Sequence, residues 1–135
     1  MAHINAYLNF NGNARAAMLF YNECFGGELV MQKIAESPMA VQMPAEMSNH
    51  ILHSTLTSEN FVLMASDMMS NKIAVGNNVT LCLQCGSDEE INLLFKNLCN
   101  GGKINQPLQQ SYWGATFGEL IDKFDICWIL NHSKK

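Results

Sequence analysis

The sequence predicts an α+β fold built from two copies of one βαβββ unit, and three observations support this: an internal repeat, alternating opening strands and matched glycine pairs. When the chain is aligned with itself at an offset of 75 residues, seven identities fall within about twenty positions without a gap. The identical pairs are Leu8 with Leu83, Leu19 with Leu94, Phe20 with Phe95, Asn22 with Asn97, Cys24 with Cys99, Gly26 with Gly101 and Gly27 with Gly102. Because 135 residues is the size of one domain, we predict a single domain, 1–135, made of modules at about 1–70 and 76–133.

Each module opens with a strand and a helix. Residues Asn5–Phe10 and Thr80–Cys85 alternate between apolar and polar side chains, as strands with two different faces do. Asn13 and Ser87 follow turn clusters and are predicted helix N-caps. The paired glycines end the helices. The apolar helix faces are predicted to be Ala17, Phe20, Tyr21 and Cys24 in the first module, and Ile91, Leu94, Phe95 and Leu98 in the second.

Three further strands are predicted in each module. They are expected near Glu28–Ala35, His50–Ser58 and Phe61–Ser66 in the first, and near Lys103–Gln109, Thr116–Asp122 and Ile126–Asn131 in the second. The stretch Glu36–Asn49, with Pro38 and Pro44, is an unusually long connection and a candidate lid. Its methionines either cover an apolar ligand or lie in a mobile surface excursion. The segment Met68–Asn77 is predicted to link the modules.

Composition excludes several classes of function. A net charge of −4 with 15% charged residues gives no basic face for nucleic acid. The longest strongly apolar run, Phe61–Ala65, is too short to span a membrane. The first residues carry no signal-peptide pattern, so we expect a cytoplasmic protein whose five cysteines are reduced. Lys134 and Lys135 are expected to form a solvated tail.

The opening strands predict where a ligand would bind. One face of each strand is apolar and is expected to lie under its helix. The other face is half polar and carries Asn5, Tyr7 and Asn9 in the first module, and Thr80, Cys82 and Gln84 in the second. Two related sheets that pair through these faces would form a cleft, where small ligands bind.

Several motifs resemble one known superfamily, over nearly the whole chain. They are Ala6–Asn13, Phe20-Tyr21, Phe25–Gly27, Ser66-Asp67, Pro107–Gln109, Tyr112–Ala115, Phe117-Gly118, Asp122–Phe124 and Trp128. The chain is similar to the vicinal-oxygen-chelate (glyoxalase/bleomycin-resistance/dioxygenase) superfamily, within it to the PhnB-type branch, often labelled 3-demethylubiquinone methyltransferase-like. The resemblance implies paired βαβββ modules in a half-open barrel, usually as a homodimer. It implies no methyltransferase chemistry by itself.

The metal-ligand positions implied by the resemblance carry unsuitable residues here. Metal-dependent members of the superfamily have a His or Gln in the first strand of each module and a Glu in the last. These positions fall on Asn5 and Thr80 in the first strands, and on Met64 and Ile129 in the last. Thr, Met and Ile are not usual ligands of divalent first-row ions, and a neutral Asn is a poor one. The sequence therefore predicts no metal and no other cofactor.

A second departure from the branch lies in the last turn. Where the branch usually reads Asp-Pro-Phe-Gly, this chain has Asp122-Lys-Phe-Asp125. Asp tolerates a positive φ better than most residues do. The turn is therefore expected to form with some strain.

The histidines do not form a metal pair by spacing. His50 and His53 are three residues apart on a predicted strand, so their side chains face opposite sides. His53 matches a histidine often seen in the branch, and it either reaches the pocket or is a hydrogen-bonded structural residue. His3 and His132 lie near the chain ends and are expected to be solvated.

The Cys82-x-x-Cys85 motif is not predicted to be a redox or zinc site. On a strand its thiols lie on opposite faces, and no second cysteine pair accompanies it. Redox motifs of this spacing work at a helix N-terminus. Cys82 alone, if it faces the cleft, is a candidate reactive thiol.

Large aromatic residues precede and enter the seventh strand. Trp113 and Phe117, with Tyr112 nearby, are either core residues or a pocket wall, and the Trp113-Gly114 pair suggests a bend that presents a ring. Glu119 shares the face of Phe117 and is the one carboxylate predicted inside the cleft, the alternative being exposure on its rim. Burial in an apolar pocket would let such a carboxyl group act as an acid or base.

Two functions follow from these features. The first is a binding protein without metal ligands that holds a small molecule at Tyr7, Asn9, His53, Met64, Cys82, Trp113 and Phe117. The second is a lyase, isomerase or dioxygenase of the same superfamily, either metal-independent with Glu119 or His53 as a base or using metal ligands that this alignment does not place. In both cases we expect a homodimer with no nucleic-acid or membrane partner.

Overall fold

The computed structural model describes residues 1–68 and 72–133. The described chain forms two compact units, residues 1–74 and 75–135, and each contains one βαβββ module. Residues 69–71 of the predicted link and the predicted Lys134-Lys135 tail lie outside the described residues. Neither helix of the described chain has the length and apolar character needed to cross a membrane.

The first module is a four-stranded mixed sheet with one long helix. Its elements are β1 (Ala6–Phe10), α1 (Ala14–Phe25), β2 (Glu28–Lys33), β3 (Ile51–Thr57) and β4 (Val62–Asp67). The strand order is β1-β4-β3-β2. Strand β1 runs parallel to β4, and the other pairs are antiparallel. The crossover through α1 is what allows the first and last strands to pair in parallel.

The second module repeats this topology. Its elements are β5 (Leu81–Gln84), α2 (Asp88–Leu98), β6 (Lys103–Gln110), β7 (Ala115–Ile121) and β8 (Cys127–Ser133). The order is β5-β8-β7-β6, with β5 parallel to β8. The openings of the two modules, from β1 to β2 and from β5 to β6, follow the predicted offset of 75 residues. The α+β prediction and its duplicated βαβββ unit are confirmed.

The core of each module lies between its helix and one face of its sheet. In the first module Leu8, Phe10 and Leu56 point to this side and are buried with the α1 residues Met18 and Tyr21. The second module buries Leu120, Trp128 and Leu130 of its sheet with Ile91, Phe95 and Leu98 of α2. The opposite face of each sheet carries no helix of its own module. We call it the open face.

The second glycine of each pair is required by close packing, and Gly27 also by its backbone conformation. A Cβ on Gly27 would lie 2.5 Å from the carbonyl oxygen of Thr57, and one on Gly102 would lie 2.3 Å from that of Ile121. Gly27 has a positive φ of 90°, whereas Gly102 does not have a positive φ. The two modules thus repeat the same close approach, and close contact alone accounts for Gly102.

The two helix N-termini are capped differently. Ser87 caps α2 as predicted, because its Oγ accepts a hydrogen bond from Glu90 N at 3.0 Å. Asn13 occupies the N-cap position of α1, but its side chain makes no capping bond. Instead, Oδ1 of the buried Asp67 accepts hydrogen bonds from the backbone nitrogens of Gly12, at 2.7 Å, and Ala14, at 3.0 Å. The prediction of Asn13 as a side-chain cap was wrong.

The long connection of the first module contains local structure. Strand β2 ends at Lys33 rather than at the predicted Ala35, because a 3-10 turn begins at the fully buried Ile34. Two further 3-10 turns follow, Pro38–Gln42 and Ala45–Met47. The predicted loop is therefore a chain of short turns, and its role as a lid stays a prediction.

The last turn has the geometry expected for a glycine. Asp125 has a φ of 68° and is the non-glycine residue with a positive φ in the described chain. The turn is held by Asp122, whose Oδ1 accepts hydrogen bonds from Phe124 N and Ile126 N at 2.8 and 3.1 Å. Its Oδ2 accepts one from Trp128 Nε1 at 2.8 Å. The family motif in this turn is therefore structural.

Candidate functional site

The open face of the first module brings four side chains into one row across its strands. Met64 on β4 pairs with Tyr7 on β1 and with Thr55 on β3, and Thr55 pairs in turn with Val30 on β2. Tyr7 is 46% exposed and Val30 is 58% exposed. Neighbours in a row lie on the same side of a sheet. Two predicted ligand-binding residues, Tyr7 and Met64, are therefore adjacent on this face.

His53 completes this cluster. Its ring centroid lies 6.1 Å from that of Tyr7, and its Nε2 is 3.1 Å from Thr55 Oγ1. Asn9 lies one row further along β1, opposite Ser66. The structure thus places Tyr7, His53 and Met64 together, with Asn9 beside them. It also gives the His53 ring a hydrogen-bond partner, which a structural histidine would have as well.

The open face of the second module has a corresponding row. Ile129 on β8 pairs with Cys82 on β5 and with Glu119 on β7, and Glu119 pairs with Gln106 on β6. Cys82 is exposed and Glu119 is partly exposed. Phe117 and Glu119 are two residues apart on β7 and pair with Asn131 and Ile129, which are two residues apart on β8. The two side chains therefore share a face, as predicted. Cys82 and Glu119 lie in the same row, separated by one strand.

A hollow of about 230 Å³ opens beside this row. Its wall consists of four polar residues, Asn77, Thr80, Asn105 and Glu119, with Leu120, Ile121, Cys127 and Trp128. All of these belong to the second module. Within residues 1–68 and 72–133, the Glu119 carboxylate has no hydrogen-bond or ion-pair partner. Sequence alternation placed Glu119 and Thr80 on this face but gave no signal for Asn77 or Asn105.

An aromatic pair lies next to the hollow along β7. Phe117 is two residues from Glu119 on the same face, and its ring centroid lies 5.2 Å from that of Trp113. Trp113 stands in the turn before β7, where Gly114 has a φ of 84°, and it is 55% exposed. Tyr112, 98% exposed, packs edge-on against Trp113 at 4.9 Å. Of the two alternatives for Trp113, the core position is excluded by its exposure.

The cysteine motif has the predicted geometry. Cys82 is exposed on the open face, whereas Cys85 is buried on the helix-bearing side. Burial, followed by the nearby Glu90 carboxylate and Cys82, raises the pKa of the Cys85 thiol to about 11. A thiol with so high a pKa is a poor nucleophile at neutral pH. Of the two, Cys82 is the candidate reactive thiol.

The other histidines lie away from the open faces. His50 precedes β3, and its Nε2 lies 3.6 Å from the position of a Cβ on Gly12. His132 is not a solvated terminal residue as predicted, because β8 extends through it to Ser133. Its Nδ1 lies 2.9 Å from the carbonyl oxygen of Cys85, which ties the end of β8 to the end of β5. This contact gives His132 a structural role, whereas Nδ1 of His50 is buried without a hydrogen-bond partner among the described residues.

The side chains at the four metal-ligand positions implied by the resemblance do not fit a site for a divalent metal ion. Met64 and Ile129 lie in the last strands of their modules, and neither is a ligand for a divalent first-row ion. Asn5 and Thr80 precede the first strands and carry no negative charge. Among the described residues, no group of three or more His, Cys, Asp or Glu side chains is arranged to hold a metal ion.

Comparison with known proteins identifies the relatives of this chain. The sequence profile described as 3-demethylubiquinone-9 3-methyltransferase matches residues 2–131. Protein YjdN of Escherichia coli is 30% identical, over 98% of this chain and 96% of that protein. The crystal structure of PA1353 from Pseudomonas aeruginosa has a TM-score of 0.89 and 33% identity, with all of both chains covered.

Two further structures share the fold of this chain. The PhnB protein of Bacillus cereus has a TM-score of 0.80 at 27% identity, over 98% of this chain and all of that one. A glyoxalase/bleomycin resistance protein/dioxygenase family enzyme of Burkholderia phytofirmans has a TM-score of 0.61 at 15% identity, over 96% and 98% of the two chains. At that identity the likeness concerns the fold alone. By the match of that family profile over residues 2–131, the chain therefore belongs to the 3-demethylubiquinone-9 3-methyltransferase family.

Proposed function

We propose that this chain is a small-molecule-binding protein whose ligand lies on the open face of the second module, with one end in the hollow at Glu119. The observation that carries the proposal is the hollow of about 230 Å³, in whose wall the Glu119 carboxylate has no partner among the described residues. Two positions along β7, the half-buried Phe117 packs against the exposed Trp113 ring. Small-molecule sites combine apolar walls with a few polar groups that orient the ligand. Phe117 and Trp113 supply the wall, and Glu119 supplies the orienting group.

The first module supports the proposal with a similar set of side chains. Tyr7, His53 and Met64 form a half-exposed cluster of two rings and a thioether on its open face. Asn9 adds an amide in the next row. A tyrosine offers both apolar area and a hydroxyl group to a ligand. We propose this cluster as a separate candidate binding surface on the first module, and we assign Cys82 to the surface of the second module.

A metal ion is not part of the proposal. The residues at the family's ligand positions, among them Met64 and Ile129, cannot supply the imidazole and carboxylate groups that such ions need. A cytoplasmic location is part of the proposal, because all five cysteines are free.

One observation favours an enzyme as the second candidate. The Glu119 carboxylate, without a partner among the described residues, is available to take a proton from a ligand in the hollow. This arrangement is compatible with a metal-independent isomerase or lyase in which Glu119 is the base. His53, hydrogen-bonded to Thr55 on the other module, is the weaker candidate because its ring already has a partner.

The proposal is tested by screening metabolites with calorimetry, first on the unaltered protein and then on the Trp113→Ala and Phe117→Ala variants. Loss of a buried aromatic contact is expected to weaken a bound apolar ligand by roughly tenfold or more. Leu93→Ala is the matched control, since Leu93 is 59% exposed on α2, away from the open face. Equal weakening by the control, or full affinity in both aromatic variants, contradicts the proposed site.

A further inference from the structure

We propose that the hollow selects ligands with a protonated amine next to a flat apolar group, that is, arylalkyl ammonium compounds. This inference rests on the proposed function and adds the chemical class of the ligand. It follows from three features of the second module: the charge in the wall of the hollow, the aromatic pair beside it, and its size.

The charge of the wall favours a cation. Glu119 is the one acidic or basic residue among those that line the hollow. The other polar groups, from Asn77, Thr80 and Asn105, are neutral amides and a hydroxyl. Their oxygens accept hydrogen bonds from an ammonium group, and the carboxylate supplies its counter-charge. An anionic ligand would meet uncompensated repulsion from Glu119.

Among the described residues, the one Lys or Arg in register with this face lies at its edge. Lys103 pairs with Ile121 at the start of β6, and it is exposed and not part of the wall. Lys123 lies in the turn after β7, with its Nζ 5.6 Å from the Phe124 ring. Neither lysine supplies a positive group to the wall of the hollow, so the carboxylate stays unneutralised there.

The aromatic pair provides the second half of the recognition. Phe117 is two positions from Glu119 on one face of β7, a spacing of about 7 Å along a strand. A two-carbon chain spans this distance between an ammonium group at Glu119 and a ring stacked on Phe117 or Trp113. Aromatic faces also attract a nearby cation electrostatically. The same ligand therefore satisfies both features at once.

The size of the hollow limits what enters it. Its volume of about 230 Å³ lies below the roughly 300–1,000 Å³ of sites that enclose a drug-sized ligand. The hollow thus accommodates a head group and the first carbons of the ligand. The remainder lies over the exposed Trp113 ring, which is 55% accessible.

The test compares three probes that share a phenylethyl group by calorimetry at neutral pH: phenylethylamine, which is cationic, 2-phenylethanol, which is neutral, and 3-phenylpropanoate, which is anionic. We expect the amine to bind at least about tenfold more tightly than the alcohol, since a hydrogen bond to a charged group contributes about 1.5–3 kcal/mol. The propanoate is expected to bind most weakly. In Glu119→Gln, which keeps the shape of the side chain, the advantage of the amine over the alcohol should disappear.

The controls separate this inference from the proposed function. Glu89→Gln makes the same charge change on the exposed side of α2 and should leave the preference for the amine intact. A preference for the alcohol or the propanoate, or an amine preference that survives Glu119→Gln, overturns the cation inference while leaving small-molecule binding standing. No binding of the amine at millimolar concentration also overturns it. The proposed function fails separately if Trp113→Ala and Phe117→Ala bind every ligand found in the metabolite screen with unchanged affinity.

Discussion

Cys82 and Cys85 are three residues apart and have opposite environments. Cys82 lies exposed on the open face, and Cys85 is 7% exposed on the helix-bearing side. Burial is the first cause of the raised pKa of Cys85, because a thiolate is poorly solvated there. The proposed ligand surface therefore contains one fully exposed thiol, Cys82, that serves as a reporter, besides the half-buried Cys127 in the wall of the hollow.

We predict that iodoacetamide labels Cys82 at neutral pH and leaves Cys85 unlabelled until the pH approaches 11 or the chain unfolds. The pKa of Cys85 is raised from 9.0 to about 11, so the folded state favours the protonated thiol. Its contribution to stability is complete below pH 9 and is lost as the pH rises through 11. Peptide mass spectrometry measures the labelling, with Cys82→Ser as control. Equal labelling rates for the two thiols at pH 8 would contradict the assignment.

Single residues were predictable from the sequence where strand alternation decides their position. Tyr7, Met64, Cys82, Phe117 and Glu119 all lie on the faces that alternation gave them. Roles that depend on distant parts of the chain were not predictable. Asp67 caps the start of α1 from 53 residues away, and no local pattern marks it.

The turn between β7 and β8 shows how this chain departs from its branch at the level of an element. Asp122 organises the turn through hydrogen bonds to two backbone nitrogens and to the Trp128 indole. Asp125 occupies the position where the branch usually has glycine, and its φ is 68°. The strain expected from the sequence is therefore located at this one residue.

We predict that Asp125→Gly raises the free energy of unfolding by about 0.5–1 kcal/mol, because glycine adopts a positive φ without a Cβ clash. Urea denaturation measures the change. Asp125→Asn keeps the tolerance of a positive φ but removes the charge, so it should match the unaltered protein, while Asp125→Ala should be less stable. If Asp125→Gly were the least stable of the three, backbone strain would not be the cause.

The elements were predictable because their signals are local. Alternation, helical periodicity and glycine pairs placed all eight strands and both helices to within a few residues. The end of β2 was misplaced because the apolar Ile34 continues the strand pattern but is buried at the start of a 3-10 turn. Likewise, Asn13 is of a residue type favoured at helix N-caps, but the buried Asp67 carboxylate accepts the hydrogen bonds from the backbone nitrogens of Gly12 and Ala14.

At the scale of the molecule, each sheet leaves two strands with an unpaired edge. These are β1 and β2 in the first module, and β5 and β6 in the second. Strand β6 is exposed at every position except Leu108. Exposed edges invite pairing with another chain, and symmetric association is the common way to cover them.

We predict that the protein is a homodimer in solution, because association would cover these edges. Light scattering at several concentrations should give a mass near twice 15.1 kDa. A mass of 15.1 kDa that does not change with concentration would show that the edges stay uncovered.

We also predict that protein purified without a tag or chelator contains no stoichiometric nickel, zinc or iron. The reason is the donor set, since Met64 and Ile129 stand where metal-dependent members of the superfamily carry carboxylates. Added ions should give little thermal stabilisation, because a ligand stabilises only the state that it binds. Elemental analysis measures the content. Equimolar metal in the unaltered protein that is lost in Asn5→Ala would contradict this prediction and would show that Asn5 is a metal ligand.

The repeat, and with it the fold class, was predictable at this scale because seven identities in register survive between the modules. The hollow was not predictable from the sequence, because its wall includes Asn77 and Asn105, which lie outside the alternating pattern of the opening strands. The proposal of a cationic ligand depends on Glu119, which lies in that wall without a partner among the described residues.

The central claim, that ligands bind on the open face beside Phe117, is tested most directly by fluorine NMR of protein labelled with 5-fluorotryptophan. The chain has two tryptophans: Trp113 is 55% exposed beside Phe117, and Trp128 is 4% exposed on the helix-bearing side. Trp113→Phe assigns the two resonances. We predict that a ligand from the screen shifts the Trp113 resonance in a saturable way and shifts the buried Trp128, which lies in the wall of the hollow, by less. A shift of Trp128 alone, or an unmoved Trp113 in a complex that calorimetry shows to be formed, would contradict the claim.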